Sequence, residues 1–147
     1  MNNLGVVSIG KGKDTLLEVP KAPMYLTDSA KKHYKFMGNV LAKKDVLKET
    51  HLNALEIYAE AMAQFQFALE RIKEKNKLKM GTGYIQTFAS GASNISTELT
   101  LKNDAQDTLL KCFKLFGLDP KSEKELKGSG DPAQTSLFEE LMKVKNG

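Results

Sequence analysis

Arginine is almost missing from this chain: of its 22 basic residues only Arg71 is one. Arginine is the usual bidentate reader of guanine edges. A lysine surface favours phosphate contacts instead, which position a protein on nucleic acid without specifying a sequence. Cysteine is as scarce. Cys112 is the one thiol, so no internal disulfide can form, and six methionines beside it fit a reducing cytosol. No apolar run approaches the roughly 18 residues that a membrane span needs. The stretch Met1–Gly10 has no early basic cluster and little apolar length, which makes it a poor signal peptide. His33 and His51 are the two histidines; neither has a cysteine partner or HExxH spacing. No metal and no cofactor is therefore expected.

What is present reads as one domain. A length of 147 residues allows a modest core, and 27% charged with 41% hydrophobic residues is ordinary for a folded protein. The charge is basic, +4, but uneven. Residues 1–44 carry eight lysines (11, 13, 21, 31, 32, 35, 43 and 44) against Asp14, Glu18 and Asp28, a net +5. The middle of the chain is balanced and residues 81–147 are net −1. An excess confined to one third points that third towards a polyanion. A lysine-rich solvated surface would look the same.

Helix signals dominate. Residues 1–23, with three glycines and two prolines, predict an extended basic arm. Thr27 or Asp28 caps a helix to about Leu41, with Tyr34, Met37 and Leu41 on one face. A polar turn at Lys43, Lys44 and Asp45 leads to a long helix over about Glu49–Lys77. Residues 78–97 are polar and Gly-rich, and predict an irregular segment or a small hairpin around Gly81-Thr-Gly83. Further helices are expected at roughly 98–116 and 120–127. Gly128-Ser-Gly130 then forms a flexible linker to a last amphipathic helix, about Ala133–Val144. The fold class is all-α, with residues 24–127 as the helical core domain and 128–147 as linker and terminal helix.

The long helix carries two stripes. Leu55, Tyr58, Met62, Phe65, Leu69 and Ile72 alternate in threes and fours, a heptad seam. Ile57, Ala61, Gln64 and Ala68 form a smaller stripe beside it. One stripe can pack on the chain's own helices. The smaller one is the candidate oligomer interface, because small residues let another helix approach closely.

The stretch Asp107–Leu126 is the most specific. Leu109, Cys112, Phe113 and Phe116 recur at helical spacing. Gly117 is placed to close that helix in a left-handed conformation. Asp119 can cap the next helix, with Pro120 at its first position. This Leu-Phe-Gly-Leu-Asp-Pro-Lys-Ser junction resembles the C-terminal part of small terminase subunits of tailed double-stranded DNA phages. Two upstream segments are similar to the same family in the same order. Ala22–Tyr34 resembles its opening: a proline, Leu-Thr, an acidic residue, Ala-Lys and an aromatic. Leu47–Tyr58 resembles its second signature through Leu47, Ala54, Leu55, Glu56 and Tyr58. Lys48 and His51 depart from the capping threonine and the aspartate usual there. Ala92-Ser-Asn94 departs where the family often has a proline. The likeness covers about residues 20–127.

The resemblance implies a non-enzymatic, mostly helical protein that assembles into a ring. It implies recognition of viral double-stranded DNA at the start of packaging and handover to the large terminase subunit, in the bacterial host cytoplasm. The basic excess nominates Lys31, Lys32, Lys35, Lys43 and Lys44 as DNA contacts. The terminal helix, with Leu137, Phe138, Leu141 and Val144 on one face, is the candidate docking element for the large subunit. Two other readings stand beside this one: a self-associating virion protein without DNA binding, and a helix-turn-helix regulator using residues 28–58. The second lacks a row of Arg, Gln or Asn suited to base edges.

Competing chemistry is thin. Gly5–Gly12 follows most of a Walker A loop, but Gly12 stands where the magnesium-ligating hydroxyl belongs. Cys112 lies on an apolar stripe with no histidine near it in sequence, and reads as a core residue. Glu56, Glu60 and Glu70 read as a solvated helix face. Asn94-Ile-Ser96 is a glycosylation sequon that matters only in secretion.

Overall fold

The structure, a computed structural model, describes residues 14–121. It contains three helices, α1 (Asp28–Lys43), α2 (Leu52–Leu78) and α3 (Thr97–Leu115). A 3-10 turn, Glu49–His51, precedes α2, and a two-stranded antiparallel sheet, β1 (Ile85–Thr87) and β2 (Ser93–Ile95), precedes α3. The mostly helical expectation holds. The helices expected near 120–127 and 133–144 lie mainly or wholly outside the described residues.

The chain divides into two compact units. Unit A holds 14–20, Met37–Leu55 and 110–121; unit B holds Lys21–Phe36 and Glu56–Leu109.

In unit A the end of α1 is closed by Asp45 rather than glycine. Asp45 has φ 57°, and the Val46 and Asp45 amides donate to the Leu41 and Ala42 carbonyls, the paired bonds of a Schellman close. An aspartate tolerates this left-handed conformation better than most side chains, and its carboxylate accepts from the Thr15 hydroxyl at 2.7 Å. Thr15 bridges Lys48, and the Leu16 amide donates to the Leu47 carbonyl at 2.7 Å. Thr15 and Leu16 are buried. Within the expected arm Thr15 and Leu16 are therefore part of a core, whereas Leu17 and Glu18 after them are exposed. Val19 lies so close to Gly38 that a Cβ at Gly38 would sit 2.3 Å from it. The rest of this core is Met37, Leu41, Leu47, Leu55, Cys112, Phe113, Phe116 and Leu118. Gly117, at φ 73°, closes α3 as its sequence predicts: the Leu118 and Gly117 amides donate to the Phe113 and Lys114 carbonyls.

The departures at Lys48 and His51 have a structural counterpart. Lys48 provides no side-chain cap, and the helix begins as a 3-10 turn. The His51 ring stands edge-on to Phe116, centroids 6.0 Å apart. Burial, then the nearby Lys48 charge, hold its pKa below the ordinary 6.5, outweighing the Val46 carbonyl. The folded state thus binds this proton less readily than the unfolded chain does. His51's contribution to stability is complete above pH 6.5 and is lost as pH falls below it. The urea midpoint should therefore drop between pH 7.5 and 5.5, and drop less in His51→Gln. Equal pH dependence in the two proteins would refute this role.

Unit B is built on α2. Leu26, Ala30, Tyr34, Tyr58, Ala59, Ala61, Met62, Phe65, Ala68, Ile72, Ala105 and Leu109 are buried. Thr27 caps α1: its hydroxyl accepts from the Ala30 amide at 3.2 Å. Ser96 caps α3 in the same way, accepting from the Leu99 amide at 3.0 Å.

The segment between α2 and α3 is braced at its base. The Asn76 side-chain oxygen accepts from the Gly81 and Gly83 amides at 3.1 and 2.8 Å. The Ser96 hydroxyl donates to the Gly83 carbonyl at 2.7 Å, and the Ser96 amide to the Tyr84 carbonyl at 2.8 Å. Gly83 is pressed against α2, where a Cβ would lie 2.5 Å from the Ile72 carbonyl oxygen. The hairpin is real, but it does not turn at Gly81-Thr-Gly83. Those residues form the exit from α2. The reversal lies at 88–92, where the Phe88 amide donates to the Ala92 carbonyl at 2.8 Å and Gly91 has φ 88°.

Candidate nucleic-acid interface

The geometry of α1 follows from its composition. Ala30, Tyr34 and Met37 turn inward, and with them fixed the lysines between them must turn out. In unit B, Lys32 and Lys35 are exposed and Lys31 is half-buried. None of the three forms an ion pair with a described residue. Between them, His33 shares a hydrogen bond with Gln66 at 2.9 Å, which fixes this part of α1 on α2. Three cations thus stand on one short, positioned stretch of helix, an arrangement suited to a phosphate backbone. Lys43 and Lys44 belong to unit A, Lys43 exposed and Lys44 half-buried at the close of α1.

The chain's one arginine is engaged elsewhere. Arg71 pairs with Glu74 at 2.9 Å, both well exposed. The other described ion pair, Lys75 with Glu98 at 2.9 Å, spans α2 and α3. The Lys75 hydrogen bond holds the Glu98 carboxyl below its ordinary range.

A clasp that the sequence does not announce joins the segment before α1 to α2. The Tyr25 hydroxyl donates to Glu56, and both the amide and the hydroxyl of Thr27 donate to Glu60, at 3.1 and 3.3 Å. The hydrogen bond to Glu56 raises the Tyr25 pKa, and burial pushes Tyr34 up to about 12. Both phenols stay protonated at neutral pH. In the sequence the clasp shows only as two glutamates one turn apart on α2, a spacing that reads as a solvated face. The fold alone shows that they receive hydroxyl and amide donors.

The smaller stripe of α2 is divided. Ala61 and Ala68 are buried at 4% and 0% exposure, whereas Ile57 and Gln64 are exposed. The alanines therefore face the subunit's own core, and the surface part of the stripe is Ile57 and Gln64, with Phe67 beside them. Ile57 and Gln64 border a shallow groove with Tyr25, Glu56, Glu60 and Thr108, and Gln64 and Phe67 border a second one with Glu60 and Glu70. Cys112 is buried and its thiol pKa is raised by burial, as suits a core residue. Leu137, Phe138, Leu141 and Val144 lie outside the described residues.

Among the described residues no helix is long and apolar enough to cross a membrane. A protein family described as phage terminase, small subunit, matches residues 30–133, from the first turn of α1 to beyond α3. The chain belongs to that family. Its membership supports a role in phage DNA packaging and a subunit class that is generally non-catalytic. No curated protein and no solved structure matches the chain.

Proposed function

We propose that this protein is the non-enzymatic adaptor of a phage packaging machine. It binds double-stranded viral DNA as a closed homo-oligomer, recruits the large terminase subunit, and acts in the host cytoplasm. The observation that carries this reading is the family match over residues 30–133. The lysines of α1 support its DNA-binding part. Lys31, Lys32 and Lys35 are the leading contacts, with Lys43 and Lys44 as a second pair. Self-association multiplies these charges around a ring, so weak contacts per subunit give useful avidity. The shortage of arginine favours phosphate contact over base reading, hence steep salt dependence and modest sequence preference.

Docking of the large subunit falls to the terminal segment, through Leu137, Phe138, Leu141 and Val144. The test joins both activities. The purified protein should retain duplex DNA on a column at low salt and release it at high salt. Truncation at Gly128 should leave DNA retention intact and abolish co-purification with the large subunit. No retention at low salt would favour a virion assembly protein instead. Large-subunit binding by the truncated protein would move docking into the core.

A further inference from the structure

We infer that the β1–β2 hairpin is a contact surface for a second copy of this chain. The inference rests on the self-association just proposed and names the surface that carries it.

The first observation is compositional. In a chain of which 27% is charged, the 18 residues Met80–Thr97 contain no Asp, Glu, Lys, Arg or His. The second is exposure. Tyr84, Ile85, Phe88 and Ile95 are 45%, 54%, 51% and 43% exposed, and every residue from 87 to 95 is exposed. Ile85 stands opposite Ile95 in the register, so two branched apolar side chains share one face, and no described residue buries either of them. Depletion of charge with enrichment of aromatics marks the centre of a protein interface. Solvated loops are usually polar and charged instead.

The third observation is the brace. A two-stranded hairpin is marginal by itself in water. Here the Asn76, Gly83 and Ser96 bonds hold its base, and Ser96 is wholly buried. An uncharged hairpin held in position, with Ile85, Phe88 and Ile95 exposed among the described residues, is preorganised for a partner.

Charge selects the occupant. Duplex DNA is disfavoured because the hairpin offers no cation. A different protein is usually met with charges that steer and discriminate. A second copy of this chain carries the same +4 and repels its neighbour wherever lysines face each other. The contact between copies is best made where no charge exists. The pairs suit it too: Gln86 lies opposite Asn94 and Thr87 opposite Ser93, groups that both donate and accept. A closed ring needs two different faces per subunit. The hairpin supplies one, and the groove beside Ile57 and Gln64 is a second exposed apolar feature for the neighbour to use.

The test is the mass of the full-length protein by light scattering, with helicity by circular dichroism. The parent should be several times the single-chain mass. Phe88→Glu/Ile95→Glu should fall to one chain with helicity unchanged. Phe88→Ser, which adds no charge, should weaken assembly by tenfold or more in midpoint concentration, and it decides the matter if the double variant misfolds. An assembled parent whose folded variants stay assembled overturns the inference and leaves the packaging role standing. Loss of DNA retention by variants that remain assembled overturns it in favour of a nucleic-acid surface. A monomeric parent overturns both this inference and the self-association beneath it.

Discussion

Ala68→Glu should unfold the subunit instead of merely splitting an oligomer. Ala68 is fully buried and Ala61 nearly so. A glutamate at Ala68 puts a carboxylate at a fully buried position on the same face of α2 as Phe65 and Ile72, and one at Ala61 puts it at a position only 4% exposed. An uncompensated buried charge costs several kcal/mol, either as desolvation or as forced protonation. Whole domains are stable by only about 5–15 kcal/mol. The expected result is a lost or strongly lowered thermal transition for Ala68→Glu, and a somewhat smaller loss for Ala61→Glu. Gln64→Glu, exposed on the same stripe, should stay within about 0.5 kcal/mol of the parent. Calorimetry separates the outcomes. A normally folded Ala68→Glu protein that has only dissociated would return both alanines to the subunit surface.

That stripe shows where sequence reading stops. Periodicity tells which residues share a side of a helix. It does not tell how many sides are covered. The buried sector of α2 includes Leu55, Tyr58, Ala59, Met62 and Phe65 as well as Ala61 and Ala68, so it is wider than one seam. Small residues mark close approach; here the approach is within the subunit. Local rules read well where one residue decides the backbone. Thr27 at the start of α1 and Gly117 at the end of α3 both act as their types require. Long-range polar bonds are illegible because no local spacing encodes them. The Asn76 oxygen on the exit from α2, the Ser96 hydroxyl on Gly83, and the Glu56 and Glu60 clasp each depend on a partner brought from elsewhere in the fold. The same holds for Thr15 and Leu16, whose glycine- and proline-rich neighbourhood gives no sign of the Leu47–Lys48 backbone they join.

Replacing Lys31, Lys32 and Lys35 together by glutamine should produce the largest drop in DNA affinity of any surface change. Lys32 and Lys35 are exposed, and none of the three is held in an ion pair with a described residue, so each ammonium is available to a phosphate. Removing one lysine–phosphate contact flattens the log–log salt slope by about 0.9. At 0.1 M salt that corresponds to roughly eightfold in affinity for each lysine, and to a few hundredfold if all three reach the backbone. The thermal midpoint should barely move, because the core residues Ala30, Tyr34 and Met37 are untouched. Sequence preference should also be little altered, since phosphate contacts carry none. Lys43→Gln/Lys44→Gln tests the pair in unit A separately. Fluorescence anisotropy with a labelled duplex, repeated across salt concentrations, reads both slope and affinity. If the triple variant keeps the parent's slope, the α1 lysines are a solvated surface. Binding of DNA then passes to Lys43 and Lys44 or to lysines outside residues 14–121, such as Lys11 and Lys13.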